Sequence, residues 1–553
     1  MKHYTRVLAI LLTLLLSLTL FAGCDNNPAA GTTQPPAQSK DPASSPSEET
    51  PGDEYVYKMP IVDDSYKITA WRSFTSTYLS NPNEILSWKE LERVTNVAFD
   101  FTLSSNADAQ TSFNLLVVSN NLPDVMIPGL SAKYVGGTDK AIEEGVYLDL
   151  TDTINKWCPN LLATLAEQEI IAKLYKTDKG RMGAFSGIHM GGEQLPWVGP
   201  GIRVDMLDQV GISGVPATYD ELHTALTKFK NDLNVEQPLI MNYMGYNATS
   251  HSLTSGFNVA PGFYNENGTA KYGFIEQGFK DYITMMNQWY SEGLIDQEFY
   301  TRTGPTDAFA FDRIPVGKVG ATDMLMFTMI EQYKGMTDDP NFYIKALAYP
   351  RQSIGQDLHF RWKATRVLGN GAQFVISGST TDEFKLEVIA RWVDFLFTPE
   401  GWHISNYGEE GVSFEVVNGV PQYTDYVLDN PDGIPSSDMM AIVSDANMFP
   451  GLFDWERERQ LVSEEAWNSY YIWGDASSGD WNMPLITMTD EEGAEYATIM
   501  GDIDTLVTEM IPQFISGMKA MSEYDAFIQR IKALDIDRAI EIQQAALTRF
   551  LAR

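Results

Sequence analysis

The sequence predicts an α/β fold for the part of the chain that follows residue 60. Strand-like and helix-like segments alternate from Tyr66 to Ile127, and this order is typical of a largely parallel sheet. A second unit, a strand followed by a helix, lies between Phe374 and Gly411. Hydrophobic residues make up 44% of the 553-residue chain, which is enough to fill large cores.

The N-terminus carries a pattern typical of secretory signals. Lys2 and Arg6 give a positive start, residues 7–23 form an apolar run, and small residues precede Cys24. A membrane-spanning helix needs roughly 20 apolar residues, and this run is shorter and contains hydroxyl side chains. We therefore predict that residues 1–23 are a cleaved signal peptide. An uncleaved anchor is the alternative.

The end of this segment and the residues after it indicate a tethered protein. The sequence Phe21-Ala-Gly-Cys24 resembles the lipobox of bacterial lipoproteins, in which the cysteine is lipidated and becomes the first mature residue. That resemblance implies an acyl anchor such as palmitate on Cys24. Residues 24–59 are rich in Pro, Ser and Thr, a composition that predicts a disordered tether.

Charge and cysteine content narrow the possible partners. The formal net charge is −35, and such an excess of carboxylates repels phosphate backbones, so a nucleic acid partner is not expected. The chain has two cysteines, Cys24 and Cys158. If Cys24 carries lipid, Cys158 has no intramolecular partner and is predicted to be a small buried hydrophobic residue. A catalytic thiol is the alternative.

Two capping boxes predict helix starts in the second half of the chain. Thr218 with Glu221 has the required spacing, and so has Thr380 with Glu383. Residues 522–550 have the periodicity of one or two amphipathic helices. The helix after Thr380 is expected to bury Phe384, Val388, Trp392 and Phe395.

Sequence motifs for most enzyme classes are missing. The chain contains no GxxxxGK[ST] phosphate loop, no GxGxxG, no HExxH, no cysteine cluster and no GxSxG elbow. We therefore expect no cofactor, no metal centre and no catalytic residues. A glycosidase needs only two carboxyl groups at a suitable separation, which sequence spacing does not report. A structural calcium at Asn265–Gly268 is also left open, although this stretch lacks an acid at its first position.

Tryptophan residues gather in one region near the C-terminus. Aromatic rings beside amides and carboxylates suit sugars, because the rings pack on C–H faces while polar groups bind hydroxyls. We expect at least two of the four tryptophans to line a cleft, and burial in a core is the alternative. The cluster comprises Trp455, Trp467, Trp473 and Trp481, with Tyr470 and Tyr471 beside them.

An ordered set of motifs runs from about Tyr66 to the C-terminus. The set comprises Asn121-Leu-Pro-Asp-Val125, Arg203–Gly211 with Pro216-Ala-Thr218, Tyr290–Asp296, Gly317-Lys-Val-Gly320, Asp394–Gly401 and Asn406-Tyr-Gly408. In this order the motifs resemble extracellular solute-binding protein family 1, and within it the LipO-like lipoproteins that serve ABC importers as substrate-binding proteins.

The resemblance implies a two-lobed periplasmic-binding-protein-like fold of type II. Each lobe is expected to hold a mixed sheet flanked by helices, with the ligand cleft at the hinge. The chain would cross the hinge more than once, so that both lobes are discontinuous. The expected segments are 60–190 for the first part of lobe 1, 191–365 for the first part of lobe 2, 366–415 for the second part of lobe 1, and 416–553 mainly for helices of lobe 2.

The resemblance also suggests residues that face the cleft. Trp71, Trp455 and Trp473 are expected to provide stacking surfaces for sugar rings. Asp124, Arg203 and Asp323 are expected to bind hydroxyl groups. Tyr407 and Trp481 would complete the ligand-binding set.

These expectations combine into one functional prediction. The mature protein would be a monomer at the cell surface, anchored by Cys24 to the outer face of the plasma membrane. It would capture an oligosaccharide and deliver it to an ABC permease, without being an enzyme. The alternatives are a surface glycoside hydrolase that uses an Asp/Glu pair, and a peptide-binding or sensory lipoprotein.

Overall fold

The structure is a computed structural model, and it describes residues 58–128, 134, 136–189, 196–302, 307–362, 367 and 373–553. The chain divides into two units, Met1–Tyr55 and Val56–Arg553, and only the second contains described residues. The predicted signal peptide, Cys24 and nearly all of the predicted tether lie outside the described residues. Within the described ranges, no helix combines the length and the apolar content that a membrane span needs.

The strands and helices of the described ranges alternate along most of the chain. The strands are β1 (Tyr66–Ser73), β2 (Val97–Ser104), β3 (Val125–Ile127), β4 (Ile188–His189), β5 (Val198–Arg203), β6 (Gln237–Ile240), β7 (Phe263–Glu266), β8 (Thr269–Tyr272), β9 (Val319–Met326), β10 (Ile344–Ala346), β11 (Val375–Ile376), β12 (Phe414–Val417), β13 (Val420–Tyr423) and β14 (Leu452–Phe453). The helices are α1 (Leu86–Thr95), α2 (Ala109–Ser119), α3 (Gly137–Glu143), α4 (Thr151–Trp157), α5 (Pro159–Glu167), α6 (Glu169–Tyr175), α7 (Val204–Gln209), α8 (Tyr219–Leu233), α9 (Gln277–Ser291), α10 (Met329–Gly335), α11 (Glu383–Phe395), α12 (Pro399–Tyr407), α13 (Asp425–Leu428), α14 (Ser436–Val443), α15 (Glu456–Arg459), α16 (Glu464–Ala476), α17 (Asp490–Ile515), α18 (Tyr524–Ala533) and α19 (Ile536–Ala552).

The first lobe is built on a four-stranded sheet in the order β11-β3-β1-β2. Strand β1 pairs in parallel with both β2 and β3, as the alternating pattern predicts, and β11 pairs antiparallel to β3. Because β11 follows β3 by almost 250 residues, this lobe is assembled from distant parts of the chain. Its core includes the buried side chains of Ile68, Leu91, Val125, Phe374 and Trp392.

The second lobe is built on a sheet in the order β10-β5-β9-β6. Only β6 and β9 run parallel; β5 is antiparallel to both β9 and β10. The predicted capping box is confirmed at α8, where the Thr218 side chain accepts the Glu221 N–H and Glu221 accepts the Thr218 N–H. Helices α17 and α19 pack on this lobe, against α9 and β8 respectively.

The second predicted capping box is wrong. Helix α11 begins at Glu383, and its cap is Asp382, whose side chain accepts the N–H of Lys385 at 3.0 Å. The predicted burial of Phe384 is also wrong, because this ring in the first turn is 54% exposed and meets the ring of Tyr66 edge to face, whereas Val388, Trp392 and Phe395 are buried as expected. A carboxylate one residue before the helix therefore replaces Thr380 as the capping group.

A β-hairpin follows α12 and belongs to neither of the two four-stranded sheets. Strands β12 and β13 are joined at Asn418 and Gly419, both of which have positive φ, as a tight two-residue hairpin turn requires. Tyr423 packs inward with Tyr407 and Phe414, while Val416, Val417 and Val420 are exposed. Helices α12 and α14 contact α1, so the hairpin region belongs to the first lobe, and the expected boundary between 415 and 416 falls inside β12.

Short backbone segments connect the lobes. Strands β4 and β14 pair in parallel, with Ile188 opposite Leu452 and His189 opposite Phe453. Val367 forms an antiparallel bridge to Ile188 on the other side. Three crossings of the chain therefore meet side by side at the hinge.

Candidate functional site

A cavity of about 970 Å³ lies between the two lobes. Helix α12 and the β12–β13 hairpin form its first-lobe wall, and α16 forms its second-lobe wall. Residues after β14 close it beside the hinge. We call it the aromatic cavity; it is lined by Trp402, Tyr407, Gly419–Tyr423, Leu428, Asp454–Glu456, Arg459, Gln460, Trp467, Tyr470 and Tyr471.

Helix α16 contributes three aromatic side chains because of their spacing. Trp467, Tyr470 and Tyr471 stand three and four residues apart, which places them on neighbouring turns of one helix face. The helix begins behind Ser463, whose side chain accepts the N–H of Ala466 at 3.2 Å. Trp467 and Tyr470 meet edge to face, with ring centroids 4.5 Å apart.

Trp455 connects the cavity to the hinge. Its indole stacks on the imidazole of His189 in β4, with centroids 5.0 Å apart and planes 17° apart. Both ring nitrogens of His189 are buried without a partner among the described residues, and burial lowers the pKa of His189 to about 3. The imidazole is therefore neutral at physiological pH and supports Trp455 as a flat apolar ring.

Polar groups stand between the aromatic rings. The hydroxyl of Tyr407 donates to Oδ2 of Asp454 at 2.7 Å. Burial and then the Asp454 carboxylate raise the pKa of Tyr407 far above its usual value, so the phenol stays protonated. Gln460 bonds to the backbone of the hairpin, accepting the Tyr423 N–H at 2.7 Å and donating to the Pro421 carbonyl at 3.1 Å. Arg459 and Glu456 form an ion pair of 3.4 Å at the rim.

Two of the predicted site residues, Tyr407 and Trp455, line the aromatic cavity. Trp71 does not, because it is 1% exposed in the first-lobe interior, where its indole N–H donates to Ser112 Oγ at 3.2 Å. Trp473 is fully buried, and its N–H is shared by the carbonyls of Pro200 and Leu347, each at 3.1 Å. The structure therefore corrects the assignment of Trp71 and Trp473 as stacking surfaces; both are core residues.

Asp124 and Arg203 are occupied by neighbouring side chains rather than facing the cavity. Asp124 accepts from Lys385 Nζ at 2.7 Å and from Thr69 Oγ1 at 2.8 Å. Burial opposes its ionisation, but these bonds outweigh burial and lower its pKa. Arg203 is 3% exposed and forms a two-pronged pair with Asp205, at 2.8 and 2.6 Å. Neither residue lines the aromatic cavity.

Asp323 and Trp481 also lie away from the aromatic cavity. Asp323 is 1% exposed on β9, with its Oδ2 3.3 Å from the N–H of Asn242. Trp481 stacks on His359 at 4.0 Å and packs against the second-lobe core. Burial is therefore the largest influence on the pKa of Asp323, which it raises.

Sequence reasoning did not select several residues that line the cavity. Trp467, Tyr470 and Tyr471 belong to the noted aromatic cluster, and their helical spacing is the signal that could have separated them from Trp473. Trp402 and Asp454 gave no such signal, because only the fold brings them together.

Groups of three or more side chains suited to a metal are absent from the described ranges. In the Asn265–Gly268 turn, Asn265 Oδ1 accepts the Gly268 N–H at 2.7 Å.

Comparison with known proteins gives one curated relative. No family model matches the chain. The chain is 27% identical over 239 residues to the fructooligosaccharide ABC transporter substrate-binding protein FusA of Streptococcus pneumoniae. That match spans 40% of this chain and 43% of FusA, so it covers less than half of the relative's length.

Solved structures match over a much larger part of the chain. An extracellular solute-binding protein from Bifidobacterium longum subsp. infantis has a TM-score of 0.71 at 17% identity, covering 88% of this chain and 98% of that one. FusA in complex with kestose has a TM-score of 0.68 at 19% identity, covering 88% and 100%. The alginate-binding protein AlgQ2 without calcium has a TM-score of 0.66 at 24% identity, covering 88% and 99%. The predicted two-lobed α/β fold is confirmed, and the chain is similar in sequence to FusA and in fold to these substrate-binding proteins.

Proposed function

We propose that this protein captures an oligosaccharide in the aromatic cavity and delivers it to an ABC permease. The observation that carries the proposal is the cavity itself, in which seven aromatic side chains from both lobes surround a small set of polar groups. Aromatic faces pack against the C–H faces of sugar rings, and carboxylate, amide and phenol groups bind hydroxyls. The curated relative is described as a fructooligosaccharide-binding component of an ABC transporter, which supports the same class of ligand.

Lobe closure gives the proposal a mechanism. Tyr407 and Tyr423 stand on the first-lobe wall, whereas Trp467 and Tyr470 stand on the second. A glycan that touches both walls gains its full set of contacts only when the lobes are together, so ligand shifts the population toward the closed state. The permease would recognise that state. The short crossings at the hinge fit this role, because few backbone angles need to change.

We also propose the finer assignments that the sequence suggests. The protein would be a LipO-like member of solute-binding family 1 and would act as a monomer. Residues 1–23 would be a signal peptide, Cys24 would carry an acyl chain at the outer face of the plasma membrane, and the segment 24–59 would be the tether. The protein would bind and release its glycan without chemical change, and energy for transport would come from another subunit.

The test compares Trp455→Ala with Tyr300→Ala by isothermal titration calorimetry against a panel of oligosaccharides and oligopeptides. Tyr300 is 38% exposed and does not line the cavity, so it is a matched aromatic truncation. Loss of one stacking surface should weaken glycan binding at least tenfold, about 1.4 kcal/mol, while Tyr300→Ala binds like the wild type. Thermal-shift assays should show stabilisation by the same glycans.

Three outcomes would contradict the proposal. If Trp455→Ala binds glycans with wild-type affinity, the aromatic cavity is not the glycan-binding site. Stabilisation by peptides alone would favour a peptide-binding lipoprotein. Chromatographic detection of shortened glycans after incubation would favour a glycoside hydrolase.

A further inference from the structure

A second cavity, of about 240 Å³, lies at the carboxyl end of β1. The loop after β1, with Ser73, Thr75 and Ser76, forms one side, and residues 444–448 form the other. We call it the arginine pocket, because Arg72 and Arg457 both line it. It lies beside the aromatic cavity, because the side chain of Arg457 is hydrogen-bonded to that of Tyr423, which lines that cavity.

Arg457 is a buried cation without a counter-ion. The residue is 2% exposed, and its Nε has no hydrogen-bond partner among the described residues. Its Nη1 reaches Ser444 Oγ at a long 3.4 Å, and its guanidinium lies 4.7 Å from the ring centroid of Phe453. No described carboxylate lies within 4.0 Å of it. A charge in this position is costly unless it is paired, and an incoming anion would supply the missing partner.

The carboxylates around Arg457 are already engaged. Asp445 pairs with Arg72, and the same oxygen accepts the Trp88 indole N–H at 2.8 Å. On the side of the aromatic cavity, Asp454 accepts from Tyr407 and from the N–H of Glu456, at 2.7 and 2.9 Å. Glu458 lies 3.5 Å from the Tyr470 hydroxyl. The charge of Glu458 interacts with that of Arg457 from beyond ion-pair distance, so it reduces the field of Arg457 without neutralising it.

The charge that lines the arginine pocket is therefore positive. Two guanidinium groups, of Arg72 and Arg457, stand against the single carboxylate of Asp445. This sign is opposite to that of the whole chain, whose formal net charge is −35. Long-range attraction does not favour an anionic ligand here, so any preference for one has to come from these local groups.

We propose that the captured glycan is acidic, and that Arg457 binds a carboxylate on a sugar ring placed in the arginine pocket. This inference rests on the proposed function and adds the chemical class of the ligand to it. The planar guanidinium matches a carboxylate through two parallel N–H donors, which a neutral hydroxyl does not match. The remaining rings of the glycan occupy the adjoining aromatic cavity.

The experiment uses two probes with the same sugar backbone, of which one is charged and one is neutral: trigalacturonate and its fully methyl-esterified form. Calorimetry with the wild-type protein should show that the acid binds about 10- to 100-fold more tightly than the ester, since hydrogen bonds to charged groups are the stronger ones. This preference should shrink at high salt. Arg457→Gln should abolish it, and Arg457→Lys should retain part of it, because the charge stays while the two-pronged geometry is lost.

Arg538→Gln is the matched control, because it removes one surface guanidinium paired with Glu495, far along the chain on α19. It should keep the full preference for the acid. Circular dichroism melts establish that Arg457→Gln is folded; if it is not, the comparison of Arg457→Lys with wild type decides the question.

Several results would overturn the inference and leave glycan capture standing. Equal affinity for acid and ester in the wild type is one, and an Arg457→Gln variant that keeps the full preference for the acid is another. Stabilisation by sodium sulfate alone, with no binding of trigalacturonate, would indicate a site for free inorganic anions. If no glycan of any charge binds, the proposed function itself fails.

Discussion

Asp323 provides a direct test of how burial acts in this fold. The carboxyl group is 1% exposed, its Oδ1 has no hydrogen-bond partner within the described part of the chain, and its Oδ2 is 3.3 Å from the Asn242 N–H. Desolvation therefore outweighs this bond and raises the pKa of Asp323 from 3.8 to about 7. We expect Asp323→Asn to remove a pH dependence of stability that the wild type carries.

The magnitude follows from the two pKa values. The difference between about 7 and 3.8 is about 3 pH units, and each unit corresponds to 1.36 kcal/mol, which gives about 4 kcal/mol. The folded state holds the proton more tightly than the unfolded state. The contribution to stability is therefore complete below pH 3.8 and is lost as the pH rises to about 7.

The assay is urea unfolding of wild type, Asp323→Asn and a control at pH values from 4 to 8. Asp64→Asn serves as the control because Asp64 is exposed. The free energy of unfolding of Asp323→Asn should rise relative to wild type by about 4 kcal/mol between pH 4 and pH 8. The control should follow the wild type at every pH. A constant difference between Asp323→Asn and wild type across this range would refute the desolvation argument.

Three other predictions concern the fold and the anchor. Thr218→Ala should lower the free energy of unfolding by about 1 kcal/mol in urea titrations, because it removes the cap of α8; an unchanged midpoint would contradict the role of the capping box. Gly199→Ala should cost about 1–3 kcal/mol, because its Cβ would lie 2.4 Å from the indole nitrogen of buried Trp473. Gly493→Ala on α17, with open space around it, should be neutral or stabilising, and equal effects of the two changes would reject the steric reason. Mass spectrometry of the mature N-terminus should find a lipidated Cys24, and an unmodified cysteine would disprove the anchor.

Local signals in the sequence predicted local structure well. The parallel pairing of β1 with β2 and β3 and the capping box at Thr218 depend on residues close together in the chain, and both predictions are confirmed. The cap of α11 was misplaced because Thr380 and Asp382 are both good capping residues, and periodicity does not choose between them. The Asp205 partner of Arg203 stands two residues away, so the self-contained pair was visible in the sequence.

Site residues were harder to predict because their surroundings come from distant parts of the chain. Trp455 and Trp473 have similar polar and glycine-containing neighbours in sequence, yet one lines the cavity and the other is fully buried. The carbonyl acceptors of Trp473 belong to Pro200 and Leu347, more than 100 residues away. Composition can therefore locate the aromatic region, whereas the choice of individual rings depends on tertiary packing.

Residues of the β12–β13 hairpin contact the aromatic cavity but take no part in the two four-stranded sheets, so they can be changed without altering the core of the fold. One wall of the cavity is formed by this hairpin, whose tight turn needs only Asn418 and Gly419 and whose outer valines touch solvent. Neither central sheet uses it as a strand. A library confined to the lining residues Val420, Pro421 and Gln422, with Asn418 and Gly419 kept, would therefore change the selectivity of the protein on a constant scaffold, which makes the hairpin the natural place to engineer a sensor for a new glycan.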